Sequence, residues 1–186
     1  MQLFGTYTSP FVRHVRIAMA ECDTRYDLIE TDAKGSAEQS PAMKVPFLRD
    51  GGIELTDSTS ILRYVREQAG QSFLPSVAGL DFYCLVNTLM DSAINLFMLE
   101  RNGLDTGANP YFDRQRARIV AGLKYMNESP QLASLDRDAR LRLQCFLYWG
   151  VFRKRFDIAP FEQLVKELDK ANADSVFAET APPAGS

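Results

Sequence analysis

Three short stretches in the first third of the chain carry residue types that could do chemistry, and the first is Thr8-Ser9-Pro10. Ser9 is a good helix N-cap, and Pro10 suits the first helical position, where its missing N–H costs nothing. The unpaired N–H groups of a helix start attract anions, so the Ser9 hydroxyl could donate a hydrogen bond to an anion such as a thiolate. Taken alone, the stretch is explained more simply by capping of the helix.

The second stretch is Lys44-Val45-Pro46, at the head of a predicted strand. A proline there is typical of a strand edge or a bend. A cis Val45–Pro46 bond would turn the backbone N–H and C=O of Val45 toward a ligand. Only about one X–Pro bond in twenty is cis, and the sequence does not decide which form is present.

The third stretch is Asp57-Ser58, which directly precedes an apolar helix. A carboxylate and a hydroxyl at this place commonly cap the helix. They could also bind a ligand that carries both an ammonium group and a carboxylate. Asp57 would then take the ammonium, while the Ser58 hydroxyl and the helix N–H groups would take the carboxylate.

Alternating strand and helix signals over residues 1–75 supply the elements that would position these stretches, in the order β-α-β-(α)-β-β-α. Because a helix separates the first two strands, we expect them to be parallel. Asp50-Gly51-Gly52 predicts a hairpin between the last two strands. The predicted strands are 1–7, 26–31, 45–48 and 53–56, the predicted helices are 10–21 and 58–70, and 34–43 is a loop or short helix.

Strand signals vanish beyond residue 80, which predicts an all-α remainder. Residues 76–79 are predicted to be a linker between a domain at 1–75 and a helical domain at 80–186. The expected fold class is therefore α/β plus all-α. The predicted helices are 80–102, 111–127, 135–156 and 160–171, followed by a flexible polar tail at 180–186.

Composition excludes several classes of protein. The 186 residues are 46% hydrophobic and 24% charged, with a net charge of -3, which is ordinary for a globular protein and gives no basic excess for nucleic acid. The apolar runs are shorter than the roughly 20 residues of a membrane span, and the start lacks a signal-peptide pattern. Three scattered cysteines and one histidine predict reduced thiols and no metal site. We expect a cytoplasmic protein with no metal, nucleic acid or membrane among its partners.

Together, the three stretches resemble the glutathione-binding domain of the soluble glutathione transferases, in their serine-type, bacterial-like branch. The matching segments are Ser9–Ile17 (SPFVRHVRI), Lys44–Leu48 (KVPFL) and Leu55–Tyr64 (LTDSTSILRY). The family pattern is similar: S-P-x-x-R-x-V-R-I, then V-P-x-L, then L-x-E/D-S-x-x-I-x-x-Y. Each segment is weak alone, but their order and spacing, followed by a helical remainder, are specific.

The resemblance implies a thioredoxin-like N-terminal domain (βαβαββα) followed by a helical bundle, usually assembled as a homodimer. It also implies an enzyme of the detoxification type that uses glutathione as co-substrate and attacks small hydrophobic electrophiles. Peroxide reduction, dehalogenation and isomerisation stay open as related activities, because the same site could serve them.

The resemblance can be carried to individual positions. Ser9 matches the catalytic serine, which stabilises the glutathione thiolate. Val45 matches the residue whose backbone pairs with the cysteinyl part of glutathione, and Pro46 matches the cis-proline. Asp57 and Ser58 match the pair that holds the γ-glutamyl group, although the family usually has Glu where this chain has Asp57.

Further residues would complete the site. Lys44 and Lys34 fall where the family often places groups for the glycyl carboxylate. Tyr7, Phe11 and Met98 could line the pocket for the electrophile at the domain boundary. Tyr7 is also the rival catalytic residue, because another branch of the family uses a tyrosine near the end of the first strand.

Two other kinds of function are the alternatives at this stage, and the sequence argues against the second. A non-catalytic interaction module could use the same fold, which a helical domain shorter than usual for the family would suit. A thioredoxin-like disulfide oxidoreductase would need a cysteine at the first turn, and none lies there.

The stretch around Ser134 does not match the Ser/Thr-x-x-Asp capping box with which the family's sixth helix usually begins, so that cap is expected to be replaced or shifted.

Overall fold

A four-stranded mixed sheet organises the first part of the chain, in a computed structural model that describes residues 1–107 and 109–183. The strand order is β2-β1-β3-β4, with β1 parallel to β2 and β3 antiparallel to both of its neighbours. The predicted order of elements and the hairpin are confirmed, and the fold is thioredoxin-like. The elements are β1 Gln2–Gly5, α1 Pro10–Glu21, β2 Asp27–Glu30, α2 Ala33–Gln39, β3 Phe47–Asp50, β4 Ile53–Leu55 and α3 Ser58–Gln68.

The strand register brings four chain turns to one edge of the sheet. Gly5 at the end of β1 pairs with Glu30 at the end of β2, and Phe4 pairs with Phe47 at the start of β3. Leu55, which ends β4, pairs with residue 48 near the start of β3. The ends of β1, β2 and β4 and the start of β3 therefore share an edge, which we call the upper edge.

Helices α1 and α3 pack against each other, and α3 also contacts β3. The fully buried side chains of these helices include Val12, Val15, Ile61 and Leu62. At the end of β1 the backbone passes so close to α1 that a Cβ on Gly5 would lie 2.5 Å from a Val12 methyl carbon. Only glycine permits this approach, which fixes where α1 begins relative to the sheet.

Residues Leu74–Lys170 form a second compact unit made of helices. Its core includes Phe82, Tyr83, Leu143 and Phe146, each at most 1% exposed. Within it α4 packs on both α5 and α6. Its elements are α4 Val77–Arg101, α5 Pro110–Glu128, a 3-10 turn Pro130–Ser134, α6 Arg137–Phe152 and most of α7 Glu162–Asn172.

Helix α4 departs from the sequence expectations in two ways. It begins at Val77, so most of the expected linker 76–79 is helical; Ser76 caps it by accepting a 3.0 Å hydrogen bond from the Gly79 N–H. Within the described residues it is also the one helix long and apolar enough to cross a membrane. Its packing on α5 and α6 and its buried side chains are those of a core helix.

The later helices are shorter than the sequence suggested. Helix α6 ends at Phe152 rather than residue 156, and α7 begins at Glu162 because Pro160 lies in the preceding turn. Asp136 is the N-cap residue of α6 but makes no capping hydrogen bond there. Its carboxylate accepts a 2.9 Å hydrogen bond from Ser76 Oγ at the start of α4. The expected capping box is thus replaced by a contact between two helix starts.

The end of the chain returns to the first unit. Residues 171–183 cluster with Met1–Phe73, although the sequence predicts that they belong to the helical domain. They contain a short helix, α8 Ser175–Glu179, that the sequence analysis missed. Thr180, the first residue of the expected flexible tail, is only 6% exposed. Residues 184–186 of that tail lie outside the described residues.

Candidate functional site

The predicted glutathione-binding positions lie on chain segments that enter or leave the sheet at its upper edge. Ser9 follows the end of β1, Asp57 follows the end of β4, and Val45 and Pro46 precede β3. Lys34 lies in α2, which follows the end of β2. Because the register places these strand ends together, residues far apart in sequence converge on one edge.

Ser9 caps α1, as the sequence predicts. Its Oγ accepts a 3.3 Å hydrogen bond from the Val12 N–H, and its backbone is extended. A serine hydroxyl has two acceptor lone pairs and one donor hydrogen, so capping leaves the O–H hydrogen available. The side chain is half-buried. Capping and donation to an anion are therefore compatible roles.

The Val45–Pro46 peptide bond is cis. Pro46 is buried and Val45 half-buried at the upper edge. Among the described residues, neither the N–H nor the C=O of Val45 has a hydrogen-bond partner. This backbone is thus able to pair with an extended peptide-like ligand.

Asp57 and Lys44 form an ion pair at the same edge. Lys44 Nζ lies 3.3 Å from Asp57 Oδ2, while Asp57 Oδ1 caps α3 by accepting from the Thr59 N–H at 2.8 Å. Burial opposes ionisation of Asp57, but the hydrogen bonds from Thr59 and the Lys44 charge outweigh it and lower the pKa of the carboxyl. Ser58 is buried in the first turn of α3. The carboxylate of Asp57 is thus held in its charged form.

Changing Asp57 to asparagine tests this charge separately from the cap. Asparagine caps nearly as well as aspartate, so only the ionic part is lost. Because the pKa of Asp57 is lowered in the folded protein, its charge stabilises the fold above the unfolded pKa of 3.8, and that contribution disappears as pH falls below it. We expect melting temperatures of the wild type and Asp57→Asn to differ at pH near 7 and to converge in acid. A difference that stays constant down to pH near 2.5 would contradict this assignment.

The remaining predicted residues are placed less decisively. Lys34 is exposed and has no ion-pair partner among the described residues, so it is available for a carboxylate. Lys44 instead lies beside Asp57, at the position predicted for the γ-glutamyl group. The pocket residues Tyr7 and Phe11 are half-buried, and Met98 is 39% exposed on α4. The roles of these five residues stay predictions.

One contact near the site, between Arg16 and Tyr7, could not be predicted from the sequence. The Arg16 guanidinium carbon lies 4.9 Å above the centre of the Tyr7 ring. Tyr7 stands in the loop that leads to Ser9. Arginine at this position belongs to the matched segment Ser9–Ile17, but nothing in the sequence pairs it with that tyrosine.

Within the described residues, no group of three His, Cys, Asp or Glu side chains could hold a metal ion.

Known proteins share both the first domain and the fold. Residues 3–73 match the family model of the glutathione S-transferase N-terminal domain. A solved glutathione S-transferase from Methylobacillus flagellatus with glutathione bound is 21% identical, with a TM-score of 0.85 covering 98% of this chain and 99% of that chain. A glutathione transferase family member from Pseudomonas fluorescens, with bound S-(propanoic acid)-glutathione, is 25% identical, with a TM-score of 0.82 covering 99% and 100%. No curated protein sequence matches the chain.

The likeness extends to the helical unit. Maleyl pyruvate isomerase, a bacterial Zeta-class glutathione S-transferase, is 17% identical, with a TM-score of 0.76 covering 100% of both chains. Since these alignments reach across whole chains, the helical unit shares the fold of these structures as well. Residues 3–73 therefore match a glutathione S-transferase N-terminal domain, and the chain over its whole length is similar in fold to solved glutathione transferases.

Proposed function

We propose that the protein binds glutathione at the upper edge and uses Ser9 to stabilise its thiolate for attack on a small hydrophobic electrophile. The observation that carries this proposal is the convergence of Ser9, the unpaired Val45 backbone and Asp57-Ser58 on one edge of the sheet. A cytoplasmic, homodimeric detoxification enzyme is part of the same proposal and is supported by the family relationship alone.

The dimensions of the edge suit a tripeptide. The distance across the sheet from β4 to β1, with β3 between them, is two strand spacings, or about 10 Å. Three extended residues also span about 10 Å. A glutathione whose γ-glutamyl end lies at Asp57 and Ser58 would thus place its cysteine near Val45 and its sulfur near Ser9.

Each end of the ligand has a chemical partner in this arrangement. The ligand ammonium would replace the Lys44 ammonium on the Asp57 carboxylate, which is already ionised. The γ-glutamyl carboxylate would accept from the Ser58 hydroxyl and the N-terminal N–H groups of α3. Lys34, exposed beyond the end of β2, is a candidate for the glycyl carboxylate.

Ser9 then acts on the sulfur. The Ser9 Oγ already accepts a hydrogen bond from the Val12 N–H. This bond polarises the hydroxyl and strengthens it as a hydrogen-bond donor. The positive end of α1 adds to this effect. The glutathione thiol releases its proton to solvent, the thiolate is held by the Ser9 hydroxyl, and its sulfur forms a bond to the electrophile as the leaving group departs.

Ligand-dependent melting tests glutathione binding and the ligand's orientation together. At a concentration of 100 times its Kd, a ligand stabilises the folded state by about 2.7 kcal/mol, which raises the melting temperature by several degrees in a chain of this size. We expect glutathione to produce such a rise. The dipeptide Cys-Gly, which lacks the γ-glutamyl group, should produce little at the same concentration.

A second measurement separates binding from catalysis. Turnover of an aryl halide with glutathione supports the transferase, whereas binding without turnover of aryl halides, peroxides or cis-trans isomerisable acids would favour the non-catalytic module. No melting shift and no turnover would contradict the proposal entirely. Equal shifts from glutathione and Cys-Gly would contradict the placement of the γ-glutamyl group at Asp57.

A further inference from the structure

The end of the chain is held on α1 by a buried arginine. We call residues Ser175–Thr180 the C-terminal segment. Arg13, 3% exposed, donates a 2.6 Å hydrogen bond to the Phe177 carbonyl, and its guanidinium carbon lies 3.7 Å above the Phe177 ring. Phe177 itself is only 1% exposed. The C-terminal segment is therefore an integral part of the first unit.

Arg16, one helical turn further along α1, contacts the same segment and the candidate site at once. Its Nη1 donates a 3.1 Å hydrogen bond to the Thr180 carbonyl. The same guanidinium lies over the Tyr7 ring. Tyr7 stands in the loop between β1 and α1, which we call loop 6–9, two residues before Ser9. One side chain thus joins the C-terminal segment to the loop that presents Ser9.

We propose that Arg16 is a positioning residue, which couples the C-terminal segment to loop 6–9 and thereby fixes the Ser9 hydroxyl for its role at sulfur. The inference rests on the proposed function of Ser9. Among the described residues, the hydrogen bond between two residues of this loop is the one that the Ser9 N–H donates to the Thr6 carbonyl at 3.2 Å. Ser9 at the end of the loop is also held by the Val12 and Arg13 N–H groups, whereas the Tyr7 ring is the point at which Arg16 contacts the loop.

The anchoring of Arg16 explains why this contact can restrain the loop. A free arginine would lose rotamer freedom on settling over a ring, which offsets much of a cation–π attraction. Here the Thr180 carbonyl already orients the guanidinium, and burial of Phe177 fixes that carbonyl. The C-terminal segment thus already orders the Arg16 side chain. The contact with Tyr7 therefore costs less side-chain entropy and restrains the loop more than a contact with an unanchored arginine would.

Three variants of the full chain test the coupling: Arg16→Ala, Arg16→Lys and, as a charge-matched control, Arg25→Ala. Arg25 is an exposed arginine of the same unit. Amide hydrogen exchange over residues 6–12 should become roughly tenfold faster in Arg16→Ala, the loss expected for one cation–π contact with its anchoring hydrogen bond. Arg16→Lys should recover most of the protection, because an ammonium group can still contact the ring or the carbonyl. Arg25→Ala should match the wild type.

Kinetics separate positioning from a purely structural role. We expect Arg16→Ala to lower kcat while the KM for glutathione stays near the wild-type value, since Val45 and Asp57 are untouched. Unchanged exchange in Arg16→Ala, equal acceleration in Arg25→Ala, or faster exchange with an unchanged kcat would each overturn the proposal. The exchange measurement needs no substrate. If the wild type has no glutathione turnover, the proposed function is overturned, but hydrogen exchange still tests the coupling between Arg16 and loop 6–9.

Discussion

Replacing Ser9 with alanine should lower kcat for an aryl halide about fiftyfold near pH 6.5, while glutathione binds nearly as tightly as before. A free thiol has a pKa of about 8.5, and a stabilisation of about 2.7 kcal/mol would bring it near 6.5. Half of the bound glutathione would then be thiolate in the wild type, against roughly 1% in the variant. The deficit should shrink as pH rises and largely vanish above pH 9, where both proteins hold the thiolate.

Ser9→Ala also removes a helix cap, worth about 1 kcal/mol, so a matched control is needed. Ser76→Ala removes a hydroxyl that likewise caps a helix by accepting from the Gly79 N–H, and because that hydroxyl also donates to Asp136, the variant should lose at least as much stability. It should lower stability and leave kcat unchanged. A pH-independent loss in Ser9→Ala would show that the defect is structural. If Tyr7→Phe abolishes turnover while Ser9→Ala does not, Tyr7 is the residue at sulfur.

The sequence predicted best those features that local interactions determine. The bounds that the sequence predicts for helix α1 are the observed ones, because Ser9 and Pro10 satisfy the helix start with their own atoms. The hairpin followed from Gly51 and Gly52, which both adopt positive φ. The three chemical stretches converge because β1 also pairs with β3, which joins the predicted βαβ unit to the predicted hairpin in one sheet.

What the sequence could not predict depends on partners far along the chain. Helix α8 has only five residues, too few to be stable alone, and it is held by Arg13, 164 residues away from Phe177 in sequence. Gly79 suggested a linker, yet it lies in the first turn of α4, where a Cβ would fall 1.8 Å from an Asp136 carboxylate oxygen. The Lys44–Asp57 pair likewise required the register of β3 and β4, which places the two turns side by side.

The tightest of these packing constraints predicts a large effect at Gly5. Gly5→Ala should reduce the free energy of unfolding by about 3 kcal/mol, at the upper end of overpacking effects. The new Cβ would lie 2.5 and 2.8 Å from the two Val12 methyl carbons. Val12 is fully buried, and a β-branched side chain in a helix has essentially one rotamer, so the conflict is relieved only by moving α1 away from β1. Urea unfolding followed by circular dichroism measures the loss.

A double-mutant cycle distinguishes this steric conflict from a general loss of strand stability. Val12→Ala alone should cost about 2 kcal/mol through lost burial, yet it removes the two methyl groups that the Gly5→Ala side chain strikes. We therefore expect the double variant to be more stable than the sum of the single effects by about 2 kcal/mol. Additive effects would contradict the contact. Because moving α1 also displaces Ser9 at its start, Gly5→Ala should lower kcat as well, and Val12→Ala in the same chain should restore part of it.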